Sequence, residues 1–150
     1  PMTSSEVIRD LNALGPVKRV VISGGEATLQ IDEELLDSLT DHGYRLYLET
    51  NGSKAIHYLA RYFEHITMSP KQSRADTRLE LCDDLKLLFP YIGDGITINE
   101  FDSFPSKHRF LQPIEVDGNY QLSALKAATH LYANPEWKMS LQFHKVIGVK

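Results

Sequence analysis

The sequence contains a single cysteine, Cys82, among its 150 residues. One cysteine excludes an internal disulfide bond and any metal site built only from cysteine ligands of this chain. The scarcity of thiols fits a reducing compartment, so we expect a cytoplasmic protein. Cys82 has apolar neighbours and no base beside it in the sequence, which predicts a thiol that packs in the core.

Long apolar runs and an excess of positive charge are also absent. No run approaches the roughly 20 apolar residues that a helix needs to cross a bilayer, so we expect no membrane partner. Lysine and arginine total 16 against 20 acidic residues, for a net charge of −4, which argues against a nucleic-acid partner. The histidines lack the spacing of zinc ligands, and the sequence has no P-loop, GxGxxG or serine-elbow motif.

Segments typical of strands and of helices alternate along the chain. The predicted strands cover residues 17–23, 44–50, 65–68, 85–89, 110–112 and 139–143. The predicted helices cover residues 4–14, 31–43, 54–63 and 123–132, with a helical turn at 77–83 and a surface segment at 96–109. We expect Ser4 or Ser5 to cap the first helix. The alternation predicts one α/β domain with a parallel sheet and right-handed crossovers.

Four of the predicted strands end in short polar signatures. These are Ser23-Gly24-Gly25-Glu26, Glu49-Thr50-Asn51-Gly52, Ser69-Pro70-Lys71 and Gln112-Pro113. In α/β proteins the carboxyl ends of parallel strands carry the chemistry, so we expect the four signatures to build one site. Gly24 and Gly25 have no Cβ and would let a ligand approach the main chain closely.

Each signature by itself also has an ordinary structural interpretation. The GGE sequence is equally typical of a tight turn with a capping glutamate. Lys71 could bind a carboxylate or phosphate as a point charge, or could be a solvated surface lysine. Glu49 could pair with a buried base or cap a neighbouring loop. Thr50 could contact a ligand or stabilise its turn, and Gln112 could recognise an amide or ring edge or simply end the sheet.

The motifs in their order resemble a known enzyme family. They are VVISGGEATLQ, LETNGS, TMSPK, DLKLLF, FLQPIE and WKMSLQFHKVIGVK, and the resemblance that they carry runs from about Val17 to Lys150. Together they resemble the 7-carboxy-7-deazaguanine synthases, which are radical S-adenosylmethionine enzymes of queuosine biosynthesis. The resemblance implies a partial (β/α)6 radical-SAM barrel in which some helices are shortened.

The resemblance also implies an activity. The family converts 6-carboxy-5,6,7,8-tetrahydropterin to 7-carboxy-7-deazaguanine and ammonia by radical ring contraction. Its cofactors are S-adenosylmethionine, a 4Fe-4S cluster and magnesium. Its expected partners are the small-molecule pterin substrate, an external flavodoxin-like electron donor and a second copy of the chain in a homodimer.

Residue roles follow from the resemblance by position. The implied S-adenosylmethionine-binding residues are Gly24, Gly25, Glu26, Thr50, Ser69, Lys71 and Gln112. The implied substrate-binding residues are Ser23, His144 and Lys150, the last through its terminal carboxylate. No residue of this chain matches a metal ligand of the family.

The chain departs from the family pattern at three places. Ala27 stands where proline is usual after GGE, and Phe143 stands where threonine is usual before His144. The family's first strand, its CxxxCxxC-type cluster loop and its magnesium-binding threonine have no counterpart in the sequence. We therefore expect residues 1–150 to be the C-terminal two-thirds of a single radical-SAM domain. Alone, this chain would not hold the cluster or magnesium and would be inactive, and its sheet edge would favour self-association.

Two other functions fit part of the sequence. The chain could be a catalytically inactive domain that binds S-adenosylmethionine or the pterin, or that acts as an interaction module. It could instead belong to a radical-SAM activating enzyme. The C-terminal HK-x-IG segment argues against an activating enzyme, because such an enzyme must leave room for a protein loop.

Overall fold

A six-stranded parallel sheet forms the centre of the structure, a computed structural model that describes residues 2–90, 93 and 96–149. Its strands are β1 (Arg19–Ile22), β2 (Arg45–Thr50), β3 (Phe63–Met68), β4 (Cys82–Phe89), β5 (Ser106–Pro113) and β6 (Trp137–Met139). They lie side by side in sequence order, and every neighbouring pair is parallel. A sheet that adds each strand on the same side is a segment of a β/α barrel, which confirms the predicted fold class.

Four α-helices and four 3₁₀ helices accompany the sheet in the described part of the chain. The α-helices are α1 (Ser4–Ala13), α2 (Glu33–Asp41), α3 (Tyr120–Ala133) and α4 (Phe143–Val146). The 3₁₀ helices cover Ala27–Leu29, His57–Tyr62, Arg74–Asp76 and Ile98–Phe101. The described parts of the crossovers between β2 and β5 therefore carry only 3₁₀ helices, and the α-helix predicted for residues 54–63 is a 3₁₀ helix that begins at His57. Within the described ranges no helix has the length and apolar character required to span a membrane.

The N-cap of the first helix lies one residue before Ser4, the first of the two expected caps. Thr3, rather than Ser4 or Ser5, accepts a hydrogen bond from the Glu6 amide at 3.3 Å. The Glu6 carboxylate accepts one from the Thr3 amide at 2.7 Å, which completes a capping box. A capping box requires glutamate three residues after the cap, and Glu6 satisfies this spacing from Thr3.

The sheet has one apolar face and one polar face. The buried apolar side chains of the first face are Leu46, Leu48, Ile66, Met68, Leu85, Leu87 and Leu111. They share one core with Ile8 of α1 and with Leu36 and Leu39 of α2. The alternate residues Glu49, Thr67, Asp84 and His108 are register neighbours on four adjacent strands and face the other way. The helices therefore cover one face, and the polar face forms the inside of the partial barrel.

The helical turn expected at residues 77–83 does not form. The 3₁₀ turn lies earlier, at Arg74–Asp76, and Cys82 begins β4. The reason is pairing on both sides of β4: Asp83 accepts a hydrogen bond from the Ile66 amide of β3 at 2.7 Å, and Cys82 pairs with Ser106 of β5. The prediction that Cys82 packs in the core is confirmed, since its side chain is buried.

Residues 96–109 are also not the surface segment that their pattern predicted. Phe101 and Phe104 are almost completely buried, with their ring centroids 6.4 Å apart. The strand β5 already begins at Ser106, four residues before its predicted start. The last strand ends at Met139, so most of the strand predicted at 139–143 is irregular chain that leads into α4.

Candidate functional site

The four polar signatures meet in one cleft at the carboxyl ends of the strands. The cleft has a volume of about 220 Å³ and is lined by Ser23, Gly24, Gly25, Glu49, Thr50, Asn51, Ser69, Lys71, Lys86 and Gln112. Seven of the ten residues with an implied ligand role are in this set. The expectation that the strand ends build a common pocket is therefore confirmed, while the ligand of each residue stays a prediction.

The glycine pair leaves open space in front of the backbone. Gly24 has φ +145°, a conformation that residues with a side chain rarely adopt. A Cβ at Gly24 or at Gly25 would meet no atom within 4 Å. The backbone conformation thus requires glycine at position 24, and the free space at both positions leaves the main chain accessible to a ligand.

Glu26 ties the ends of β1 and β2 together. Its Oε1 accepts hydrogen bonds from the Thr28 hydroxyl at 2.6 Å, the Thr50 hydroxyl at 2.7 Å and the Thr28 amide at 3.2 Å. Its Oε2 accepts one from the Asn51 amide at 2.7 Å. Burial opposes ionisation of this carboxyl, but these donors outweigh burial and lower the pKa of Glu26.

The bonds to Glu26 limit what it can offer to a ligand. Three donors already surround Oε1, so only Oε2 keeps acceptor capacity. The side chain is also absent from the lining of the strand-end cleft. It borders a different cavity of about 520 Å³ on the other side of the glycine pair, between α1 and α2. The structure therefore assigns Glu26 a clamping role in the loop, and direct contact with a cofactor stays a prediction.

Lys71 and Ser69 present polar groups on the third strand end. The Lys71 ammonium donates a hydrogen bond to the Ser69 hydroxyl at 3.1 Å. Partial desolvation and, next, the positive charge of Lys86 lower the pKa of Lys71 below its ordinary value. Within the described chain, no salt bridge includes Lys71, so its charge is available to an anionic group of a ligand.

The sequence reasoning missed Lys86, which also lines the cleft. Its ammonium lies 2.9 Å from the Glu49 carboxylate. Of the two roles considered for Glu49, pairing with a base is thus the one observed. A signal was present in the sequence, because Lys86 interrupts the apolar run of β4 between Leu85 and Leu87 and so must face away from the core.

A second cavity lies next to the ion pair on the polar face of the sheet. Its volume is about 160 Å³, and its lining includes Thr67, Asp84 and Ser140 together with Glu49 and Lys86. One oxygen of Asp84 lies 3.1 Å from His65, and the other is buried without a hydrogen-bond partner. Glu49 and Lys86 therefore separate two polar compartments inside the partial barrel.

His144, one of the residues with an implied substrate role, does not line the cleft. His144 is exposed on α4 and borders another cavity of about 490 Å³, lined also by Glu115, Tyr120 and Lys145. The structure does not bring His144 together with Ser23, the other described residue of this group. Lys150 lies outside the described residues.

The residues of the described ranges do not fit an iron–sulfur cluster or a metal ion. No group of three or more His, Cys, Asp or Glu side chains is placed to hold a metal there. Burial raises the pKa of the Cys82 thiol to about 12, so the thiolate that a cluster needs is disfavoured. The cleft does fit a polar organic cofactor, because it combines open backbone, hydroxyls, an amide and an ammonium group.

Comparison with known proteins identifies the family. The chain is 32% identical over 149 residues to the 7-carboxy-7-deazaguanine synthase of Bacteroides thetaiotaomicron, covering 99% of this chain and 74% of that protein. The chain belongs to the 7-carboxy-7-deazaguanine synthase family. Relatives of the same name in Nitratidesulfovibrio vulgaris and Bordetella pertussis are 34% and 35% identical over 134 and 131 residues. No protein-family model matches the chain.

Membership of the 7-carboxy-7-deazaguanine synthase family confirms the resemblance seen in the motifs. A crystal structure of QueE from Escherichia coli matches with a TM-score of 0.62 at 20% identity, covering 94% of this chain and 64% of that one, which supports the fold. The alignments with the two further relatives include 87% of this chain but only 58% and 59% of those proteins. The chain therefore corresponds to a part of these proteins, between about three fifths and three quarters of their length.

Proposed function

We propose that this chain is part of a radical S-adenosylmethionine lyase that makes 7-carboxy-7-deazaguanine from 6-carboxy-5,6,7,8-tetrahydropterin, in queuosine biosynthesis. The observation that carries the proposal is the convergence of four strand-end signatures in one cleft of a chain that belongs to this family. We call the longer polypeptide that would contain this sequence the parent protein. It would supply the cluster ligands, which the described residues do not provide.

In the parent protein the strand-end cleft would hold S-adenosylmethionine. The open backbone at Gly24 and Gly25 is suited to the amino group of its methionine part, and the free charge of Lys71 is suited to an anionic group such as its carboxylate. The Ser69 hydroxyl and the Gln112 amide could bind ribose hydroxyls or the adenine edge. When bound, this cofactor supplies the radical chemistry, while the protein orients it and excludes water.

The pterin would lie beside the cofactor at the rim of the cleft. Ser23 is exposed at the end of β1, where it can reach a second ligand. His144 borders a separate cavity near α4, so a role in substrate binding requires a ligand that extends to that cavity.

The remaining partners are part of the same proposal. We propose a magnesium-dependent enzyme that receives electrons from a flavodoxin-like donor and forms a homodimer in the cytoplasm, without nucleic acid as a partner. For the chain by itself, self-association is supported by β1, which pairs on one side only among the described strands and exposes Val21.

A catalytically inactive binding domain is the second candidate. It is favoured by one observation, the lack of cluster ligands among the described residues. Such a domain would keep the cleft and its affinity for S-adenosylmethionine or the pterin but would make no product. The activating-enzyme alternative loses its basis, because the relatives are 7-carboxy-7-deazaguanine synthases.

The deciding experiment is an anaerobic assay of the reduced parent protein with its cluster reconstituted. We expect conversion of 6-carboxy-5,6,7,8-tetrahydropterin to 7-carboxy-7-deazaguanine that requires S-adenosylmethionine, measured by mass spectrometry. Binding of S-adenosylmethionine without product, in a protein with a full complement of iron, would favour the inactive binding domain. Lack of both binding and product would reject both candidates.

A further inference from the structure

Lys86 lies where the two polar cavities meet. It lines the strand-end cleft together with Lys71, and it lines the second cavity together with Asp84. Glu49, its partner at 2.9 Å, lines both cavities as well. The two charged groups therefore form the floor of the cleft, and a ligand in the cleft would rest on them.

The scaffold holds this pair more firmly than a surface pair. Glu49 is on β2 and Lys86 is on β4, with the strand β3 between them; Thr67 of β3 is the register partner of Glu49 and of Asp84, two residues before Lys86. Their side chains are 36% and 22% exposed, so water screens their charges only in part. Both neighbours of Lys86 are fully buried leucines, Leu85 and Leu87, which leave its backbone little freedom to turn the side chain elsewhere.

The charge of Lys86 also influences Lys71, the third charged residue of the cleft. Lys71 lines the same cleft, and the charge of Lys86 is the one charge that contributes to the lowered pKa of Lys71, after desolvation. Two ammonium groups with one carboxylate give the cleft floor and wall a net charge of about +1. Such a charge suits a ligand with an anionic group.

We propose that Lys86 is a positioning residue of this site, which fixes the Glu49 carboxylate at the floor of the cleft and couples it electrostatically to Lys71. Lys71, Lys86 and Glu49 then form one electrostatically coupled group. Neutralising Lys86 or Glu49 therefore changes the protonation equilibrium of Lys71. The coupling itself rests on geometry, and its effect on turnover rests on the proposed function.

The first test measures the titration of Lys71 in the parent protein without added ligand. Competitive amine labelling across a pH series, read by mass spectrometry of the Lys71 peptide, reports the protonation of that one lysine. Lys86→Met removes a like charge, so we expect the labelling midpoint of Lys71 to move to higher pH. Glu49→Gln removes the compensating carboxylate, so we expect the midpoint to move to lower pH.

Two further variants act as controls for this measurement. Lys86→Arg keeps the charge and is expected to keep the midpoint of Lys71 near its original value. Lys107→Met removes another lysine of the sheet, one that is paired with Asp83 at 2.6 Å and lies outside the cleft, and should leave the midpoint unchanged. An unchanged midpoint in both Lys86→Met and Glu49→Gln would overturn the proposal, as would equal shifts in Lys107→Met.

The second test measures turnover and ligand binding in the same variants. Loss of correct positioning is expected to lower kcat/KM by roughly tenfold to a hundredfold in Lys86→Met. Lys86→Arg should recover part of this loss, because it restores the charge but not the shape. Equal kcat/KM for Lys86→Met and wild type would overturn the positioning role. If the wild type makes no product, the proposed function fails, and the labelling test still decides the coupling.

Discussion

The two faces of the sheet differ in polarity and burial, although they are built from alternate residues of the same strands. The apolar face packs Leu46, Leu85 and Leu87 against the helices with almost no exposed surface. The polar face carries Glu49 and Lys86, which are separated by 37 positions in the sequence and pair across the partial barrel. The comparison indicates that stability depends mainly on the apolar face, while the ligand contacts that we propose lie on the polar face.

The largest effect on stability is expected at the apolar face. Leu87→Ala removes a fully buried side chain and leaves a cavity that the sheet cannot close, at a cost of about 2–5 kcal/mol in the free energy of unfolding. Urea denaturation of both forms measures the difference. Leu81→Ala, at a leucine that is 61% exposed, is the matched control and should change stability by less than about 0.5 kcal/mol. Similar losses at the two leucines would contradict the division between the faces.

A smaller effect is expected at Glu26, which ties the ends of β1 and β2 together. Glu26→Gln replaces a carboxylate that accepts four hydrogen bonds with an amide that can satisfy only part of them, at a cost of about 1–3 kcal/mol. Because the pKa of Glu26 is lowered in the folded protein, its ionised form contributes stability at pH values above the unfolded pKa. This contribution is lost as the pH falls through the folded pKa.

The pH dependence of the unfolding free energy provides a control for the Glu26→Gln experiment. Unfolding free energies measured between neutral and acid pH should converge for wild type and Glu26→Gln as the pH falls. Glu34→Gln, at an exposed glutamate of the first turn of α2, should keep the wild-type slope. If the unfolding free energies of wild type and Glu26→Gln changed in parallel with pH, the Glu26 carboxyl would not be charged in the folded protein.

The smallest effect on stability and a clear effect on binding are expected at Lys71. Lys71→Ala removes an exposed side chain with a single hydrogen bond, so the unfolding free energy should change by less than about 0.5 kcal/mol. Binding of S-adenosylmethionine to the parent protein, measured by titration calorimetry, should weaken because the ligand loses a positive charge. His144→Ala borders a different cavity and should leave this affinity unchanged. An unaltered affinity in Lys71→Ala would remove Lys71 from the proposed site.

Most of the sheet and the convergence of the strand ends could be predicted from the chain. Alternation within Tyr44–Thr50 identifies β2, and the glycine pair after β1 marks a backbone that needs an open conformation. The first and last residues of the strands were less predictable where contacts with other strands determined them. Cys82 belongs to β4 because Asp83 accepts a hydrogen bond from the Ile66 amide, 17 positions earlier in the chain. No local sequence pattern predicts a contact between residues so far apart.

Burial was misjudged where the local pattern was weak. Phe101 and Phe104 stand in a segment without clear periodicity, yet both are buried in the core: Phe101 ends a 3₁₀ helix, and a turn closed by the bond from the Phe104 amide to the Phe101 carbonyl follows it. The cap of α1 was misplaced by one residue, since Ser4, Ser5 and Thr3 have nearly equal capping preference and only the position of Glu6 distinguishes them.

The sequence alone determined the class of fold, the family and the location of the site at the strand ends, because these depend on periodicity and on short motifs that local residues define. The tertiary structure decided which side chains act together. Glu26 reaches Thr50 and Asn51 across 24 and 25 positions, and Glu49 reaches Lys86 across 37. Contacts of this kind depend on strand order and register, which bring distant residues within hydrogen-bond distance only after the chain has folded.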